Sequence, residues 1–152
     1  MGTESALRTI VQDGGEKMMS LLEDPEIFVI DSGATTHSTG NSIGMINMKN
    51  AHGSKTRVGN GAKIATKAIG SFPFQDESGT KGVMGGVHLI PGAPFNLISG
   101  TKLLTMGYQL SGDENKIVYS KDDKCITFDI KIKSPEGMLL AARLKSGSTP
   151  RI

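Results

Sequence analysis

The chain has 152 residues, 37% of them hydrophobic and 21% charged, with a formal net charge of +2; this is one domain of ordinary size and fits neither a disordered nor a membrane protein. Aromatic residues make up 5% and Trp is absent, which argues against a base-stacking nucleic-acid platform, and the small scattered positive charge gives no phosphate-binding face. The 20 glycines favour turns and β structure over helix bundles, and the single Cys125 leaves no partner for an intrachain disulfide.

The N-terminus MGTESALRTI has no basic-then-apolar signal pattern, and Ala6 breaks the myristoylation pattern. A soluble, intracellular protein with no membrane partner is expected. Residues 1–24 carry two short apolar clusters split by Gly14-Gly15 and read as an extension or linker. The domain proper is expected at 25–133. Ile27-Phe28-Val29-Ile30 predicts a buried strand ending in the turn Asp31-Ser32-Gly33. A loop is expected through Gly40, Asn41 and Gly44. Asn60-Gly61 lies between Thr56-Arg57-Val58 and Ala62 to Thr66, a strong hairpin signal. Ile69 to Phe74 continues as a strand, with Pro73 pointing to a sheet edge. Asp76 to Gly79 reads as a turn, and Val83 to Ile90 as a strand closed by Pro91-Gly92.

Pro94 to Ile98 is read as the entry to a helix near Ser99 to Met106, with Leu103 and Leu104 on the core side and Gly107 as C-cap. Tyr108 to Leu110 begins a strand. Ile117 to Tyr119 and Cys125 to Ile130 flank Lys121 to Lys124 as an extra C-terminal hairpin. Residues 134–152 are expected to lead toward a following segment.

Asp31-Ser32-Gly33 is the sharpest chemical feature. Alone it is ordinary turn chemistry. After four apolar residues it suits an aspartic protease strand, in which a buried strand delivers a carboxylate into a tight turn. That chemistry needs two carboxylates sharing one proton, one acting as base on water and the other as acid toward the peptide carbonyl. No second Asp-Ser/Thr-Gly exists in the chain. The partner aspartate must then come from a second copy across a two-fold axis.

Phe28-Val29-Ile30-Asp31-Ser32-Gly33-Ala34, followed by His37, resembles the proteases of copia-type LTR retrotransposons, relatives of the retroviral retropepsins. Val58-Gly59-Asn60-Gly61 with Ala68-Ile69-Gly70 is similar to their flap region. Val87 to Gly92, Asn96 to Ser99 and Leu103 to Gly107 are similar to their later strand and C-terminal helix. Ser32 stands where the retroviral enzymes usually have Thr, and Ser99-Gly100 where they have Gly directly after the apolar pair. The resemblance implies an all-β, retropepsin-like closed β-barrel with a flap hairpin and one short C-terminal helix, homodimeric. It implies a cofactor-free endopeptidase acting on a Gag-Pol polyprotein in the cytoplasm, within virus-like particles, with no direct nucleic-acid partner. Asp31, Ser32 and Gly33 would be catalytic; Ala34, Val58, Gly59, Asn60 and Gly61 would meet the substrate. Residues 134–152 would lead into the next polyprotein segment.

Two readings compete. One is a domesticated or inactive copy that keeps the fold for binding or dimerisation. The other is an unrelated β-barrel binding domain in which Asp31-Ser32-Gly33 is only a turn. Gly40-Asn41-Ser42-Ile43-Gly44 matches a nucleophile elbow but lacks the strand before and the helix after. His37, His52, His88 and Cys125 have no zinc-ligand spacing. His37 is read as holding the loop after the Asp31 turn.

Overall fold

A computed structural model describes residues 23–51, 55–57, 63–93, 96–134 and 137–147. The strand β1, Ile27–Asp31, is buried along its apolar length. Phe28 and Ile30 enter one core cluster, while Ile27 and Val29 enter a second. A strand covered on both faces reads as a continuous apolar run rather than an alternating one.

Two short strands, β2 (His37–Thr39) and β3 (Ile46–Asn50), lie within the stretch expected to be a loop. The predicted hairpin has strands β4 (Lys55–Arg57) and β5 (Lys63–Ala65), paired antiparallel from Lys55 opposite Ala65. Next come β6 (Ala68–Asp76) and β7 (Lys81–Leu89), an antiparallel pair. Asn96–Ser99 is a buried strand, β8, that runs directly into the expected helix. Asn96 is polar yet buried because its amide donates to the Pro25 and Ile27 carbonyls, each at 3.1 Å. Its Oδ1 accepts from Thr39 Oγ1 at 2.6 Å.

The helix α1 is short, Gly100–Thr105. Ser99 caps its start, and Gly107, at φ +96°, follows its end. The Tyr108 N–H donates to Leu103 O and the Gly107 N–H to Leu104 O, the paired closure of a Schellman motif. Leu103 is buried, but Leu104 is 46% exposed and does not face the core. Neighbouring helical residues are about 100° apart, so a one-turn helix buries one of such a pair and turns the other outward.

The strands β9 (Gln109–Gly112), β10 (Ile117–Lys121) and β11 (Lys124–Phe128) form a separate three-stranded sheet in the order β11-β10-β9. Its Tyr119, Ile126 and Phe128 join the larger core cluster. Last come β12 (Ile130–Ser134) and β13 (Gly137–Ser146). Residues 137–146, for which the sequence predicts no strand, pair with β12, β1 and β6.

The large sheet is mixed and runs β12-β13-β1-β8-β2-β7-β6-β3, with a further pairing of β13 to β6. That last pairing joins β13, β1, β8, β2, β7 and β6 into a closed ring. Pro73 lies inside this ring and not in an edge strand. Its carbonyl accepts from Gly147 N, so its missing N–H faces the same side. There β3 pairs only as far as Ser71, and β13 begins at Phe74. Proline therefore occupies the one gap between two neighbours, where no ladder donor is needed.

Candidate functional site

Asp31 ends β1, half-buried, opposite Ser99 at the end of β8. Its Oδ1 accepts from the Gly33 N–H at 2.8 Å, and its carbonyl from the Ala34 N–H at 3.4 Å. Ser32 and Gly33 are exposed at the tip of this turn, and Ala34 is half-buried.

The turn is held from far along the chain. Thr101 Oγ1 donates to the Ser32 carbonyl at 2.7 Å. Ser99 Oγ donates to the Ala34 carbonyl at 2.6 Å and accepts from the Lys102 N–H at 3.0 Å. The Ser99 N–H donates to His37 Nδ1 at 2.9 Å. One residue at the β8–α1 junction therefore caps the helix and ties down both ends of the segment 34–37. The approach is close enough that Gly100 is required. A Cβ there would overlap the Tyr119 hydroxyl and reach within 3.4 Å of Ser32 Cα.

His37 is fully buried. Because Nδ1 accepts a hydrogen bond, the proton of the neutral ring sits on Nε2. Nε2 is buried without a hydrogen-bond partner among the described residues. Burial, reinforced by the charges of Lys102 and His88, pushes the imidazole down to about 3. It stays uncharged through the neutral range and acts as a brace, as the sequence suggests. Burial also lowers Lys102, whose Nζ donates to the Gly86 carbonyl at 3.1 Å. His88 is lowered by burial and by Lys102; its Nδ1 lies 3.2 Å from Thr66 Oγ1.

Residues 32–48 contain no Asp, Glu, Lys or Arg. The segment following Asp31 thus supplies no second acid, and the turn presents one carboxylate from one chain. Val58, Gly59, Asn60 and Gly61 lie outside the described residues, although β4 and β5 on either side are paired. Ser99 and Thr101, which brace the turn, are not found by the sequence reading. Ser99 had a usable signal as a helix-starting serine. Thr101 had none, since nothing local ties residue 101 to residue 32.

Residues 28–108 match the family model described as "Pol polyprotein, beta-barrel domain". No curated protein and no solved structure matches the chain. The matched stretch runs from β1 through α1 and contains the Asp31 turn with both of its braces. The chain belongs to the family of Pol polyprotein β-barrel domains.

Proposed function

We propose that this domain is the aspartic endopeptidase of a retrotransposon Pol polyprotein, active as a homodimer that cleaves the polyprotein. The observation that carries this reading is the setting of Asp31: the end of a strand buried on both faces, in a turn braced by hydroxyls from Ser99 and Thr101. Two copies would bring two Asp31 carboxylates together with one proton between them. The ionised carboxylate takes a proton from water as the oxygen attacks the peptide carbonyl. The protonated one donates to the carbonyl oxygen. Collapse of the resulting diol, with a proton passed to the nitrogen, breaks the C–N bond. In this reading Ser32 and Gly33 shape the turn and Ala34 borders the substrate. No cofactor enters this chemistry.

A second reading is a binding or dimerisation module without peptidase activity. The matched family favours it to this extent: its description names a β-barrel domain and no reaction. Mixing separates the two. With equal amounts of native and Asp31→Asn chains allowed to exchange, random pairing puts about half of the native subunits into hybrid dimers. Peptidase activity per native subunit should fall to roughly half, and further with excess variant. Activity per native subunit that stays constant under mixing and dilution would rule out a shared dyad. Absence of peptidase activity from a folded dimer would favour the module.

A further inference from the structure

The charge of the chain is divided unevenly. Residues 32–75 hold five cations, Lys49, Lys55, Arg57, Lys63 and Lys67, and no Asp or Glu. The segment therefore carries +5 and the rest of the chain −3, a split that the formal net charge of +2 conceals. Asp31 and Asp76 bound the segment at its two ends.

The fold gathers these cations on neighbouring strands. Lys49 pairs with Ile69, and the Ala51 N–H donates to the Lys67 carbonyl at 3.0 Å. Lys49 and Lys67 are thus diagonal neighbours across β3 and the start of β6, and such positions lie about 7–8 Å apart. In the β4–β5 ribbon, which links these two strands in sequence, Lys55 is paired with Ala65 and Arg57 with Lys63. Like charges at paired positions destabilise a ribbon, and an anion bound there removes the penalty. Lys49, Lys55 and Lys67 are exposed. None of the three has an ion pair among the described residues, where the ion pairs are those of Arg143 with Asp24 and Glu26. The bounding acids stand apart: Asp76 closes the far end of β6, about 30 Å of strand beyond Lys67, and four strands separate β1 from β3 in the sheet order.

We propose that this surface, the β3–β6 edge with the β4–β5 ribbon, binds the phosphate backbone of a nucleic acid. The aromatic residues of the segment, Phe72 and Phe74, are both buried, so it offers no Phe, Tyr or Trp ring for base stacking. Recognition is by charge and independent of base sequence. A nucleic acid fits better than an acidic peptide. Its charge is continuous, so it meets cations spread over separate strands in any register, and it gains from the release of condensed counterions. The proposal departs from the expectation of no nucleic-acid partner, which followed from the small net charge and from the resemblance. It is independent of whether the Asp31 turn cleaves peptides.

The test is fluorescence anisotropy of a labelled oligouridylate titrated with the full chain. With up to five phosphate contacts, the association constant should fall by about 100-fold when monovalent salt is raised fourfold. Lys49→Glu combined with Lys67→Glu should weaken binding by about 10-fold or more at low salt and make the salt dependence shallower. Both side chains are exposed, so this variant should keep its melting temperature. Lys131→Glu combined with Lys133→Glu makes the same charge change at exposed positions of β12 and should bind nearly as the native chain does. Oligodeoxythymidylate of the same length should bind alike, because both polymers carry the phosphates. No binding by the native chain at low salt, or equal losses in the two double variants, would overturn the site. A preference of about 10-fold or more for one oligonucleotide would overturn recognition through phosphates alone. A labelled oligoglutamate that binds more tightly than either would overturn the nucleic acid in favour of an acidic peptide.

Discussion

Two aspartate turns in this protein use the same local chemistry and end in different settings. Asp76 Oδ1 accepts from the Ser78 N–H at 3.0 Å, the Ser78 hydroxyl at 2.6 Å and the Thr80 N–H at 2.9 Å. These partners lie within four residues, and they close the β6–β7 hairpin. Asp31 Oδ1 likewise accepts from the N–H two residues on. The Asp31 turn, however, is fixed by Ser99 and Thr101, 65 and 69 residues from the groups that they hold. The Asp76 side chain is spent on its own turn and is buried. The Asp31 turn is rigid because others hold it, which leaves its tip exposed. Aspartate followed by serine and glycine makes a turn in either place; bracing from a distance separates a site from a corner.

Exchanging the roles of the two aspartates gives the largest expected effect. Asp31→Asn should lower peptide cleavage by about 100-fold or more while the fold is kept, because the amide cannot act as base or share the proton. Asp76→Asn should leave cleavage nearly intact and lower stability by about 1–2 kcal/mol, since charge-assisted bonds to its own turn weaken. Steady-state kinetics and urea unfolding of both variants check this, and equal kinetic losses would erase the distinction.

Acid should attack the braced turn through His37. Its folded value, about 3, lies below the ordinary histidine value of 6.5, so the unfolded chain takes up the proton first. The stabilisation is complete above about pH 6.5 and is lost as pH falls toward 3, at up to about 1.4 kcal/mol per pH unit. Urea midpoints at pH 7, 5.5 and 4.5 should show this slope, and His37→Asn should flatten it. An unchanged slope in the variant would assign the acid sensitivity elsewhere. The proposed carboxylate pair would work on the acid side of neutrality, where the brace loses stability, so under that proposal activity and stability would pull in opposite directions.

The serines sharpen the same contrast at smaller scale. Ser99→Ala removes a helix cap and leaves the Ala34 carbonyl without its donor, at a cost of about 2–3 kcal/mol. Cleavage should fall with it, because the turn loosens. Ser78→Ala removes an exposed hydroxyl from a turn that keeps its backbone bonds, at about 0.5 kcal/mol. Calorimetric melting of the two variants side by side measures the gap.

What could be read from the sequence was local. The apolar run of β1, the Asp31 turn, the paired strands β4 and β5, the β10–β11 hairpin and the glycine after α1 all announce themselves within a few residues. The features that escaped depend on partners far away. Strand β2 is three residues, His-Ser-Thr, buried between β7 and β8, with no apolar period to reveal it. Asn96 looks like a loop residue until the carbonyls of Pro25 and Ile27 are seen beside it. Pro73 points to an edge, but β6 is paired on both sides, and Pro73 sits between the stretch that pairs with β3 and the stretch that pairs with β13. The Asp31 turn was found because its residues are adjacent; Ser99 and Thr101 were not, because their contacts are formed only by the fold.

The closure of the ring has a consequence for how the molecule is made. Strand β1 pairs on one side with β8 and on the other with residues 141–143 of β13. Synthesis from the N-terminus produces β1 more than a hundred residues before that second neighbour. Until then one flank of this buried strand offers free backbone donors and acceptors to any extended segment nearby. Such distant pairings raise contact order and slow folding. During that interval the nascent chain is most open to pairing with the wrong strand, including the same strand of a neighbouring copy. A chain cut before β13 would keep that exposed flank permanently.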